Sequence, residues 1–149
     1  MIDAVRHYLD FLQSPPEDMA ARLRTLAIHL DRLVVAYYNT ADVEGDDESL
    51  DTPPHDYRTA YKRMGALFPT LGYYADIEPI EDFNQEPTVA DAIDDLADIY
   101  NDLADVAWYA DNVSLDEAIW HFRFGYQVHW GIHLHNIRRY LATSNVAAW

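Results

Sequence analysis

The chain of 149 residues has no cysteine and a single lysine, Lys62. The first absence excludes disulfides, thiolate metal sites and cysteine nucleophiles. The second leaves 26 acidic against 10 basic side chains, a net charge of −16. Such a field repels phosphate backbones and anionic bilayers, so neither a nucleic-acid nor a membrane partner is expected. No apolar run approaches the roughly 20 residues that span a bilayer. The Met1-Ile2-Asp3 start carries acid where a secretory signal carries base, so a soluble cytoplasmic protein is expected. Glycine is also scarce, and no Gly-rich phosphate loop, nucleophile elbow or Ser-His-Asp spacing can be read. Serines are few, and Ser14 and Ser114 read as helix caps.

What is present is apolar and aromatic: half the residues are hydrophobic, with eleven Tyr and four Trp. That composition folds as one globular domain. Apolar residues recur at helical spacing throughout, which predicts an all-α bundle of about five helices, residues 1–149 forming a single domain. The first helix covers residues 2–13, burying Ile2, Val5, Leu9 and Leu12. Ser14-Pro15-Pro16-Glu17 reads as the N-cap and first turn of the second, whose seam is Met19, Leu23, Leu26, Leu30, Leu33 and Tyr37. An acidic loop follows over residues 40–55. A third helix is expected over 56–68, burying Tyr57, Tyr61, Met64 and Phe68, with Pro69 ending it. Residues 69–87 read as an irregular connection packed by its aromatics. Thr88 reads as the N-cap of a fourth helix running to about Ala110, and Ser114-Leu115-Asp116-Glu117 as the capping box of a fifth reaching Ala142. That last helix would be about 40 Å long and antiparallel to the fourth across the Asp111–Val113 turn.

The pattern with most chemical content is His129-Trp130-Gly131-Ile132-His133. On one continuous helix, imidazoles four residues apart share a face and can grip one divalent ion. His133 falls within the apolar face and His129 on its flank. His121 and His135 point the other way and are excluded from that site. Trp130 stands where the zinc-protease motif has glutamate, which argues against that chemistry. Carboxylates for the same ion are available on the fourth helix, in Asp95, Asp98 and Asp102. By helical phase its acids lie opposite the apolar stripe, with Asp95 and Asp102 nearest the edge and best able to turn inward. A solvated acidic face and a core histidine bonded to a carbonyl or an aspartate are the plainer alternatives. Arg123 also falls on the apolar face, where an unpaired charge is costly, so a buried ion pair with Asp95 or Asp102 is expected. Paired Glu-x-x-His motifs of di-iron carboxylate bundles are absent, Glu117 and His121 being four apart.

The fifth helix is apolar nearly all round, with Trp120, Phe124 and Val128 on its back and Gly125 and Gly131 permitting close approach. A homodimer through this helix is therefore expected.

Two segments, Asp94 to Leu103 and Trp120 to His133, resemble a bacterial family known as an uncharacterised domain of unknown function. That resemblance implies an all-α fold and brings no activity. Asp95-Leu96-Ala97-Asp98, followed by Val113-Ser114-Leu115, is also similar to the second acidic half-motif of MazG-type nucleotide pyrophosphohydrolases. That similarity implies Mg²⁺ held against phosphates, but the first half-motif, Glu-x-x-Glu on a preceding helix, is missing. The reading that follows is a non-catalytic binding or regulatory module meeting a protein or small molecule. The alternative is a metal-dependent enzyme or metal-binding protein using His129, His133 and the fourth-helix aspartates.

Overall fold

A computed structural model of the chain describes residues 1–45, 52–77, 84 and 86–143. The middle of the expected acidic loop, the segment around Pro79 and the residues after Thr143 lie outside these. Among the described residues there are six helices and one two-stranded ribbon. The expected all-α class holds in its main features.

Helices α1 (Ile2–Gln13) and α2 (Met19–Asn39) pack as an antiparallel pair. The seam of α2 is as predicted: Leu23, Leu26, Leu30 and Leu33 are each at most 1% exposed. Its cap is not. Ser14 closes α1, its N–H donating to Asp10 O, and Asp18 takes the N-cap role by accepting from Ala21 N at 2.7 Å. Carboxylate and helix N-terminus attract, which favours Asp there. Helix α3 (Tyr57–Leu67) is capped by Asp56 and buries Ala60 and Met64, while Tyr57 stays exposed, contrary to expectation.

The connection expected to be irregular contains a strand, β1 (Tyr73–Asp76), paired antiparallel with β2 (Thr88–Asp91). Thr88 is therefore a strand residue and not a helix cap. The cap of α4 (Ala92–Asn112) is Asp91, which accepts from Ile93 N and also takes the Tyr61 hydroxyl at 2.7 Å. Helix α4 is the centre of the bundle, packed by α1, α3, α5 and α6, and its Ala92, Leu96, Ala97, Ile99 and Leu103 are fully buried.

The predicted Ser114 cap is present, its Oγ accepting from Glu117 N at 3.0 Å. The expected 40 Å helix is not. It divides at His129 into α5 (Leu115–Val128) and α6 (Trp130–Thr143), fourteen residues each. The Tyr126 hydroxyl meets His135 Nε2 at 2.8 Å, although a straight helix would hold residues nine apart at about 13 Å along its axis. Gly131 makes the bend possible, since a Cβ there would lie 2.1 Å from the carbonyl oxygen of Tyr126. Beyond the bend, Trp130, Leu134, Ile137 and Leu141 form a fully buried stripe. No helix among the described residues is long and apolar enough to cross a membrane.

Candidate metal centre

Helices α5 and α6 run past α4 in the opposite direction, so the joint at His129 lies against the middle of α4. Tyr109 stacks on His121 at 3.7 Å at one end, and Asp95 meets His133 at the other. The five residues singled out for metal binding come together, though in a different way from that expected. His129 is the C-cap of α5 and His133 lies in the first turn of α6, so the two imidazoles do not share one helix face. They meet across the bend, ring centroids 4.9 Å apart and planes near perpendicular.

Each ring is held by its own aspartate. His133 Nδ1 lies 2.7 Å from Asp95 Oδ1, and His129 Nδ1 lies 2.7 Å from Asp102 Oδ2. An ionised carboxylate only accepts, so Nδ1–H is the donor in both pairs and Nε2 is the nitrogen left for another partner. The third carboxylate, Asp98, sits one helical turn from each of the others, with Oδ2 3.7 Å from His133 Nε2. Asp98, His129 and His133 each offer one ligand atom, all within 4.8 Å of one another. Donors bound at about 2.1 Å around one tetrahedral ion stand roughly 3.4 Å apart, so a small closing movement would complete the set.

Burial grades across the group. The Asp95 side chain is 7% exposed, those of His133 and Asp98 about a fifth, and that of His129 nearly half. Asp95 is thus an exception to the expected solvated acidic face; its Oδ2 also accepts the hydroxyl of Tyr74 on β1. The hydrogen bond to Asp95 pushes the His133 pKa above the ordinary imidazole value, against the opposing effect of burial. Burial pushes Asp98 up as well, with Asp94 and Asp102 adding to the rise and the two imidazoles opposing it. His133 and Asp98 therefore each hold a proton to higher pH than an ordinary imidazole or carboxyl does.

His121 stays out of the three-residue set, as helical phase predicts, and lines a groove of about 220 Å³ beside His129, together with Asp102, Asp105, Phe124 and Val128. Its Nε2 lies 3.3 Å from Glu117, and burial keeps its pKa low. His135 also stays apart, bonded to Tyr126.

Arg123 pairs with neither Asp95 nor Asp102. It reaches the segment after α2, donating to Asp42 Oδ1 and to the carbonyls of Tyr37 and Thr40. Its guanidinium also lies 4.8 Å over the Tyr37 ring. Arg123→Ala is expected to cost about 1–3 kcal/mol in chemical denaturation, because two carbonyls lose a charged donor.

Three further contacts had no local signal in the sequence: Tyr74 with Asp95, Tyr61 with Asp91, and His55 with Asp105. Each joins α4 or its N-cap to a residue at least thirty positions away or to the ribbon, where helical phase is blind.

The fold has a counterpart among solved structures. The crystal structure of protein BF1032 from Bacteroides fragilis superimposes with a TM-score of 0.77 at 18% identity, over 96% of this chain and 88% of that one. Among curated proteins, none matches. A family model described as "Domain of unknown function (DUF5063)" matches residues 1–147, and the chain belongs to that family.

Proposed function

We propose that this protein is a binding module for one divalent first-row transition-metal ion, held by Asp98, His129 and His133. The observation that carries the reading is the pair of Nδ1–aspartate bonds, from Asp102 to His129 and from Asp95 to His133. Carboxylates behind metal-binding histidines fix the tautomer and raise the basicity of the ligating nitrogen, and such pairs accompany metal sites. Two imidazoles and one carboxylate suit Zn²⁺, Co²⁺, Ni²⁺ or Fe²⁺ better than Mg²⁺, which prefers oxygen donors. The Mg²⁺ chemistry implied by the pyrophosphohydrolase similarity fits less well, because Asp95 has both oxygens engaged by Tyr74 and His133. Three protein donors leave a tetrahedral ion one open position, where a small molecule can bind.

The test is calorimetric titration of metal-free protein with Zn²⁺ and Mg²⁺, and with Co²⁺ followed by its visible absorption. One equivalent of Zn²⁺ or Co²⁺ with weak Mg²⁺ binding is expected. Absence of binding, or binding equally strong in His129→Ala and His133→Ala, would overturn the reading.

The pH dependence carries a second check, with opposite signs for the two states. The pKa of His133 is raised in the folded protein, so its contribution to stability is complete below the ordinary imidazole value. That contribution disappears as pH rises through the raised value, because the folded state must then release a proton it binds more tightly. Metal affinity should increase over the same interval, since the ion displaces that proton. The margin in denaturation midpoint of metal-free wild type over His133→Ala should thus shrink with rising pH while Zn²⁺ affinity climbs. His29 and His121, whose pKa values burial lowers, contribute with the opposite sign in both proteins.

A homodimer is the second part of the proposal. Phe124, Val128 and Ile132 remain 48–60% exposed around the joint, a grouping more apolar than an isolated surface needs. Light scattering that shows only monomer at high concentration would remove it.

A further inference from the structure

The ribbon β1–β2 has no part in the ligand set, yet β1 reaches the centre through one side chain. We propose that Tyr74 is a positioning residue of the metal centre, fixing through Asp95 the tautomer and aim of His133. The inference rests on the metal reading above.

The connection is a chain of two hydrogen bonds. The Tyr74 hydroxyl donates to Asp95 Oδ2, and Asp95 Oδ1 accepts from His133 Nδ1. A buried carboxylate with one donor can still turn about its side-chain torsions. With a donor on each oxygen its plane is set, and so is the line along which it accepts from the imidazole. That line decides that Nδ1 keeps the hydrogen and Nε2 faces Asp98. Tyr74 is in turn fixed on the helix that carries His133. Its ring stacks on Tyr140 at 5.1 Å, and Tyr140 lies two turns beyond His133 on the same side of α6. Asp76, on the same face of β1, accepts from Asn136 at 3.1 Å and from Arg139. Strand β1 therefore follows α6, and the Tyr74 hydroxyl keeps its place relative to His133.

Two variants separate this role from simple docking of the ribbon. Tyr74→Phe removes the hydroxyl and keeps the stacked ring. Asp76→Ala loosens the strand and keeps the hydroxyl. Zn²⁺ affinity should fall about 10–100-fold in Tyr74→Phe, the usual loss when a partner behind a ligand is removed, and by no more than about threefold in Asp76→Ala. In metal-free protein, ¹⁵N spectra of labelled histidine, taken where the ring is neutral, should show one His133 tautomer in the wild type and a mixture in Tyr74→Phe. Equal losses in the two variants would reduce Tyr74 to a docking contact and overturn the inference. So would an unchanged tautomer. Should the wild type bind no metal while Tyr74→Phe still mixes the tautomers, the metal reading fails and the positioning of His133 by Tyr74 stands.

Discussion

Gly131→Ala is expected to destabilise the protein by about 3 kcal/mol, at the upper end for inserting one methyl group into a packed site. The new Cβ would lie 2.1 Å from the Tyr126 carbonyl oxygen and 3.2 Å from the Tyr126 ring. Neither can retreat easily. Tyr126 stacks on Tyr37 at 3.9 Å, meets Trp130 edge-on at 4.9 Å and bonds His135 through its hydroxyl. Burial also pushes that hydroxyl's pKa up to about 12, so it stays a donor at any ordinary pH. The bend between α5 and α6 must open, and His129, two residues away, moves with it. Urea denaturation measures the first effect, and zinc titration should show the second as a loss of affinity. A variant within 0.5 kcal/mol of wild type (roughly the spread of ordinary surface changes) would mean that the bend has some other cause.

The second large effect divides the two histidines. His133→Ala and His129→Ala should each lower zinc affinity by at least about 100-fold, since each removes one of only three donors. Their effects on metal-free stability should differ. Removing His133 takes one hydrogen-bond donor from the buried Asp95 and leaves it the Tyr74 hydroxyl, at an expected cost of about 2 kcal/mol. Removing His129 breaks a bond between two partly exposed groups, which is worth less than about 1 kcal/mol. Equal stability losses would mean that burial does not set the strength of the His133–Asp95 pair. Equal and small changes in affinity would remove both rings from the metal.

Much of this architecture can be read from residue spacing. The α2 seam, the Ser114 cap and the turn between α4 and α5 follow from periods and caps a few residues long, and they are where the pattern places them. The ability of Asp95 and Asp102 to turn inward is also visible, because helical phase sets them at the edge of the apolar stripe. The bend is not visible. Gly131 in an amphipathic run looks like a tolerated glycine, and only the approach of the Tyr126 carbonyl, made by the folded chain, turns it into a joint. The two histidines thus meet for a reason that their spacing does not contain. Arg123 fails for a related cause: its partners lie more than eighty positions away, in the last turn of α2 and the segment after it, and the phase of one helix says nothing about them. Strand β2 is four residues long and begins with a threonine that imitates a helix cap, so a short strand and a helix start cannot be told apart there.

The absence of cysteine gives the Asp98–His133 pairing one more consequence. A metal ion bridging α4 and α6 would be a cross-link in a chain that has no disulfide, closing a loop of about 35 residues that contains all of α5. By loop-closure arithmetic, restricting the unfolded chain in this way is worth on the order of 3–4 kcal/mol when the bridge persists on unfolding. An ion that dissociates on unfolding would instead stabilise in proportion to the logarithm of its free concentration. The thermal midpoint of this fold would then report how much metal surrounds it.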